Sequence, residues 1–390
     1  MSLGSDRFHG VAPAAPSEFA PLRIGRLVVD PPVVLAPMAG VTNAPYRTLC
    51  RRFSGDRCLY VGEMITARAF VEGHARTRLI ATFGEDEKRL RSIQLYGTQT
   101  DSLARATRVL VEEHGVHHID LNFGCPVRKV TSQGGGAAIP LKPKLMARIV
   151  SAVVASAGPV PVTIKFRKGI DGERLTYLEA GRVAESEGAA AVALHARTAA
   201  QLYSGAADWN AIAELKLRVS SIPVLGNGDV FECWDALLMM RETGCDGVVV
   251  GRGCLGRPWL FGELCSVFDG KEPAPPPTLG EVADVMREHA RLLAAFFGER
   301  AGLAQFRKFT GWYLKGFPGT RSILAPLHLV KTGRELEELL RALPRDVPFP
   351  KAALRARRCK DGRTQTVSLP EGFLAEEDPR VEDPLQMDGG

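Results

Sequence analysis

The stretch IPVLGNGDVFECWDALLMMRETGCDGVVVGRG, residues 222–253, decides the fold. It opens on a short apolar run (222–227), passes through a helical pattern (233–244) that stops on glycine, and closes on a second apolar run (246–251). A helix capped by Gly and followed at once by a buried strand reads as a βαβ unit, whose two strands lie parallel. The same alternation repeats upstream, with candidate strands VVLAPM (33–38), LYVGEM (59–64), SIQLYG (92–97), HHIDLNF (117–123), VTIKFR (162–167) and AVALHA (191–196). Eight strand–helix units are the number that closes a (β/α)8 TIM barrel, with an open doubly wound sheet as the competitor. Two features favour the barrel. No GxGxxG turn follows the first strand, as a dinucleotide-binding open sheet requires. The reactive side chains instead gather at the C-terminal ends of nearly every strand, where barrels build their active sites.

At 390 residues the chain has room for one barrel of roughly 250 residues and a smaller unit. DGKEPAPPPTLGE (269–281) is a stiff Pro-rich linker, and 281–300, 304–317 and 331–343 follow as amphipathic helices. The expected organisation is an N-terminal extension (1–20), a barrel (21–270), a basic helical domain (271–345) and a flexible tail (346–390). Between Leu303 and Arg363 there are 14 Lys/Arg against 5 Asp/Glu, while from Thr364 onward there are 1 against 7. So concentrated a basic region fits a polyanionic partner or, more blandly, a solvated surface. No apolar run reaches the ~18 residues of a membrane span and no secretory h-region is visible, so a cytoplasmic protein without a membrane role is expected. The eight cysteines (positions 50, 58, 125, 233, 245, 254, 265 and 359) form no CxxC and no zinc spacing, so neither a metal site nor a disulfide framework is expected. Nothing in the sequence calls for an obligate protein partner.

The chemistry concentrates at strand ends. GNGD (226–229) and GRG (251–253) follow the seventh and eighth strands, the pair of loops at which barrels often bind a cofactor phosphate. Asn227, Gly228, Asp229, Gly251 and Arg252 are the candidates there, since glycine turns let backbone N–H groups approach an anion. On the fifth strand Lys165 and Arg167 share the inward face if the strand alternates. An inward lysine needs an anionic partner, either a flavin pyrimidine edge or a barrel carboxylate. Gln94 and His195 project from the third and sixth strands. Cys125, in FGCP after the fourth strand, is a candidate acid or nucleophile, or else an inert loop thiol. The glycine-rich VRKVTSQGGGAAI behind it has the composition of a mobile lid.

Taken together, LAPMAGVTNAPYR (35–47), IQLYG (93–97), DLNFGCP with GGGAAI (120–139), TIKFRKG (163–169), LHARTAAQLYSGAADW (194–209), VLGNGDV (224–230) and GVVVGRGCLGRPWLF (247–261) resemble the tRNA-dihydrouridine synthase family, in its bacterial B-type branch. The resemblance runs in order from about Pro21 to Gly319. It implies an FMN enzyme that uses NADPH to reduce a uridine of tRNA to 5,6-dihydrouridine. On that resemblance Pro37, Met38 and Ala39 pack against the flavin ring, Gln94 and Lys165 bind its polar edge, and His195 lies beside it. Asn227, Gly228, Asp229, Gly251 and Arg252 hold its phosphate. Cys125 is the general acid, and Asn122 and Arg197 orient the flipped uracil. FRKFTGWYLKGFPG (306–319) resembles the family's RKHxxWYxKGFPG stretch, with Phe309 where the family has histidine. Arg307, Lys308 and Lys315 are its candidate phosphate contacts, and Trp312 and Tyr313 are read as helix-bundle core rather than base-stacking platforms. Two other functions stay open at this point: a flavin barrel acting on a free pyrimidine, which has no need of the basic helices, and a non-catalytic RNA-binding protein, which has no need of Cys125 and Lys165.

Overall fold

Apolar residues alternate along each expected strand, and the alternation sorts them onto two faces. The computed structural model describes residues 10–356, 358 and 363–375. Ten strands occur among them: β1 (Leu22–Ile24), β2 (Leu27–Val29), β3 (Val33–Leu35), β4 (Leu59–Thr66), β5 (Ser92–Tyr96), β6 (His118–Phe123), β7 (Val162–Arg167), β8 (Ala191–His195), β9 (Val224–Asn227) and β10 (Gly247–Val250). The last eight form a closed barrel in the order β10-β3-β4-β5-β6-β7-β8-β9, all neighbours parallel. Each expected strand is present. The first stops at Leu35, so Ala36–Ala39 leave the ladder and form part of the barrel mouth.

Outward residues such as Val33, Leu35, Ile119, Leu121, Ile164 and Phe166 join one large core with the surrounding helices. The helix Pro143–Ala157 is typical: Pro143 starts it, Met146, Ile149, Val150 and Val153 bury one stripe, and Gly158 at φ 56° ends it. Inward residues divide by strand. Those of β3, β4 and β8–β10 (Val34, Leu59, Val61, Ala191, Ala193, Leu225, Val249) form a second apolar cluster. Those of β5–β7 are polar and continue into the site.

The β1–β2 hairpin is absent from the sequence reading. Its Leu22, Ile24 and Val29 belong to the inward cluster, and its turn at Gly25 lies against Pro161 and Ala190, the residues entering β7 and β8. The hairpin therefore closes the N-terminal end of the barrel, leaving the C-terminal end as the mouth.

Beyond the barrel, helices Leu279–Phe297, Glu299–Tyr313, Arg321–Leu327 and Gly333–Arg341 make up the helical unit. Thr278 caps the first with a reciprocal Glu281 contact. Gly302 lets the second approach it closely, since a Cβ there would meet the Leu293 carbonyl at 2.4 Å. The unit docks on the barrel's first helix, Ala44–Ser54, where the Tyr46 ring stacks on Phe309 at 5.8 Å and meets His289 at 5.4 Å. Its core is continuous with that of the barrel.

The tail expected to be flexible is packed over much of its described length. Phe349 meets Trp259 and Phe317 edge-on, Arg355 pairs with Asp235 at 2.9 Å, and Val367 and Leu369 lie on Ala137, Ile170 and Ala199. Its few apolar anchors carry no helical or strand period, which hid them in the sequence. Residues 376–390 lie outside the described residues.

Because Ile24 is 1% exposed inside the barrel base, Ile24→Ala is expected to cost about 2–5 kcal/mol. Urea unfolding of the two proteins measures it; an unchanged midpoint would mean the hairpin does not seal the barrel.

Candidate active site

The inward polar residues of β5–β7 are buried and need hydrogen-bond partners, which they find largely in one another. Register sets Gln94 beside Asp120, Asp120 beside Thr163, and Asn122 beside Lys165. From these pairs a continuous chain of hydrogen bonds rises through the barrel. The Thr163 hydroxyl donates to Asp120 Oδ1 at 2.6 Å, so it can only accept from His118 Nε2 at 2.9 Å. His118 Nδ1, then bare, accepts from Ser92 Oγ at 2.7 Å. Burial holds His118 neutral, its pKa pulled down to about 3. Upward, Gln94 Nε2 donates to Asp120 Oδ2 at 2.6 Å and its carbonyl accepts from Asn122 Nδ2 at 2.8 Å. That leaves Asn122 Oδ1 for the backbone N–H groups of Gly124 (3.1 Å) and Cys125 (2.8 Å). Burial raises the pKa of Asp120.

Above this layer a cavity of about 520 Å³ opens at the C-terminal ends of the strands. Its wall includes Pro37, Met38 and Ala39 after β3, with Gln94, Asn122, Cys125, Lys165 and His195. Asn227, Gly228, Asp229, Gly251 and Arg252 line the same cavity. Lys165 Nζ donates to Asn227 Oδ1 at 2.9 Å, and Asn227 Nδ2 is fixed on the Val249 carbonyl. Burial and the Arg167 charge lower the Lys165 pKa, while Asp120 below opposes them. The barrel carboxylate weighed as its partner is thus an electrostatic neighbour, with the hydrogen bond going elsewhere. His195 is neutral: burial, then the charges of Arg167, Lys165, Arg197 and Arg252, press its pKa well below the usual range.

Asp229 ties together the loops after β8, β9 and β10. At φ 59°, its carboxylate accepts from Arg197 Nη2 (2.7 Å), from Arg252 Nη2 (3.2 Å) and from the Ala207 N–H (2.7 Å). Arg197 is 1% exposed, bound also to the Ser204 and Gly205 carbonyls, and does not form part of the cavity wall. Arg167 and Tyr203 do. The Arg167 guanidinium is held by the carbonyls of Gly124, Thr198 and Leu202, and Tyr203 lies between it and Arg252, whose Cζ is 4.3 Å from the ring. Sequence spacing brought Arg167 to the mouth, but only the position of Asp229 tells which arginine is engaged elsewhere.

Cys125 is half-buried, whereas the other six described cysteines are buried. Burial raises its pKa, against the Val127 N–H and the Arg167 charge, so the thiol is protonated at neutral pH. The glycine run behind it is not an exposed lid. Gly134, Gly135 and Gly136 are buried, and a Cβ on Gly136 (φ 55°) would meet the Cys125 carbonyl at 2.6 Å. The glycines are needed for close packing under the cysteine turn.

The candidate phosphate contacts of the helical unit are not equivalent. Arg307 is spent on the Val330 carbonyl at 2.7 Å. Lys308 reaches back to the Gly40 carbonyl and to Gln305, beside Glu63. Lys315 is exposed and has no hydrogen bond or ion pair with the described residues. Tyr313 is core, at 1% exposure, whereas Trp312 is half-buried and lines the cavity. No described group of His, Cys, Asp or Glu could hold a metal ion, and no described helix is long and apolar enough to cross a membrane.

Fold and site together define a TIM barrel with a polar cavity at the C-terminal ends of its strands, where barrel enzymes place their chemistry. More narrowly, the chain belongs to the dihydrouridine synthase family, which it matches over residues 34–347. It is 54% identical over 364 residues to a probable tRNA-dihydrouridine synthase of Mycobacterium tuberculosis, covering 92% of this chain and 93% of that one. A probable tRNA-dihydrouridine synthase of Mycobacterium leprae is 52% identical, over 88% of this chain and 96% of its own. The tRNA-dihydrouridine synthase B of Xanthomonas axonopodis pv. citri is 39% identical, over 80% and 92% respectively.

The raised Cys125 pKa gives a signed expectation. Thiolate, and with it alkylation, should appear only as pH rises past the ordinary thiol value of about 8.5. Peptide mass spectrometry after iodoacetamide pulses at stepped pH measures it; a midpoint below that value contradicts the assignment of a protonated thiol.

Proposed function

We propose that this chain is a tRNA-dihydrouridine synthase that binds FMN in the barrel mouth, takes reducing equivalents from NADPH and saturates the C5–C6 double bond of a uridine in tRNA. The observation that carries the reading is a protonated, half-buried thiol in the same cavity as a lysine edge and two glycine turns.

The residues present fit the cofactor. The cavity lies within the roughly 300–1,000 Å³ of cofactor sites. Lys165 has three donors and gives one to Asn227, so it can meet the acceptor edge of a flavin, where negative charge builds on reduction. Gly228, Gly251 and Arg252 suit a phosphate, with Asn227 and Asp229 bracing them. Pro37, Met38 and Ala39 offer a surface for the ring, with Gln94 and His195 at its polar side.

When bound, the flavin supplies a hydride for C6 of the uracil. Charge then builds on C5 and its neighbouring carbonyl, and Cys125, protonated at neutral pH, donates the proton to C5. Asn122 holds the Cys125 backbone N–H and so fixes the turn that presents the thiol. Arg167 and Tyr203 offer a cation and a ring to the uracil; Arg197 acts by bracing Asp229. A base in folded RNA must leave its stack, at a cost of a few kcal/mol, which phosphate contacts offset. Lys315 and the basic helical unit supply those contacts.

The purified protein is expected to be yellow, to bleach under NADPH, and to be re-oxidised anaerobically by tRNA but not by orotate or free uracil. A colourless protein that takes up no FMN would refute the reading. Cys125→Ala should retain flavin while dihydrouridine formation falls by about 10²–10⁴-fold; wild-type turnover would exclude the cysteine as acid. Lys315→Ala should weaken tRNA binding across sequences and reduce its salt slope by about 1; an unchanged slope removes Lys315 from the contact surface.

A further inference from the structure

The family match ends at residue 347, yet the cavity wall includes Arg358. Described residues before and after Arg358 are anchored at the mouth. On one side the Leu354 carbonyl accepts from Arg257 at 3.0 Å and Arg355 pairs with Glu232 and Asp235. On the other, Gln365 Nε2 donates to the Pro126 carbonyl at 2.8 Å, one residue beyond Cys125.

Arg358 is 2% exposed. Its Nη atoms donate to its own segment, to the carbonyls of Ala356 (3.2 Å) and Ala353 (2.7 Å), and its Nε has no partner. Among the neighbouring arginines, Arg252 and Arg197 share Asp229, Arg257 has Glu263, and Arg355 has Glu232 and Asp235, while Arg167 in the same wall is met by three carbonyls. Arg358 has no carboxylate partner among the described residues, and its charged neighbour is Arg257. A buried, unpaired guanidinium costs several kcal/mol unless an anion meets it. Arg358 shares the cavity wall with Gly251, Arg252, Gly253 and Leu255 of the turn after β10, the eighth strand of the barrel.

We infer that Arg358 binds a phosphate in this cavity, that of the flavin, and that the segment beyond the family domain is thereby part of the cofactor site. The inference rests on the flavin reading above. Guanidinium recognises phosphate through a planar fork that lysine reproduces only in charge.

Apoprotein titrated with FMN and, separately, with riboflavin, followed by quenching of flavin fluorescence, separates phosphate from ring. Arg358→Ala is expected to weaken FMN roughly ten- to hundred-fold and leave riboflavin unchanged, with Arg358→Lys recovering part of the loss. Equal weakening of both ligands, or of neither, overturns the inference. Salt-dependent tRNA binding to the flavin-loaded proteins is the second arm: a loss there with FMN affinity intact would make the phosphate that of RNA and overturn the cofactor assignment. Should the alanine variant fail to fold, FMN affinity of the lysine variant equal to wild type overturns the fork. A wild-type protein that binds no flavin defeats the functional reading instead.

Discussion

Asp120 is the constraint on which the site depends. It is a carboxylate inside a closed barrel, so each of its oxygens must be met by a donor, and Thr163 and Gln94 meet them. Once Gln94 spends an N–H on Asp120, its carbonyl faces Asn122, and the Asn122 carbonyl faces the turn that presents Cys125. The orientation of each amide follows from the one below it, back to a single charge in the barrel interior. Breaking a link would strand a buried polar group at about 1–3 kcal/mol.

The two donors to Asp120 and the nearby Lys165 charge, not the apolar surround, make that charge tolerable. β3, β4 and β8–β10 contribute aliphatic side chains low in the barrel and leave the polar load to β5–β7. Lys165 spans the two halves, bound to Asn227 on β9 and electrostatically coupled to Asp120 on β6. A ligand in the mouth therefore meets an edge of fixed sign, not a mobile side chain.

Much of this was legible in the sequence, because strand periodicity fixes both which side chains point inward and where each strand ends. Lys165 and Arg167 followed from alternation alone, and the glycine loops from their place after consecutive strands. What escaped depended on contacts distant in sequence. The β1–β2 hairpin is two strands of three residues, too short to show a period. The engagement of Arg197 rather than Arg167 with Asp229 is a matter of 32 residues' separation closing in space. The triple glycine has the composition of a mobile lid, since composition cannot distinguish mobility from crowding; the Cys125 carbonyl, which a Cβ on Gly136 would meet at 2.6 Å, shows crowding. The tail was unreadable because its anchors are single residues such as Phe349 and Gln365.

The hairpin that stoppers the barrel has a kinetic corollary. With its base filled by Leu22, Ile24 and Val29, the chamber opens at the C-terminal ends of the strands. On the proposed function, a nicotinamide and an extruded nucleobase would share that opening and take turns at it. Under the flavin reading the enzyme alternates between being charged by one visitor and discharged by the next, and an excess of either delays the other.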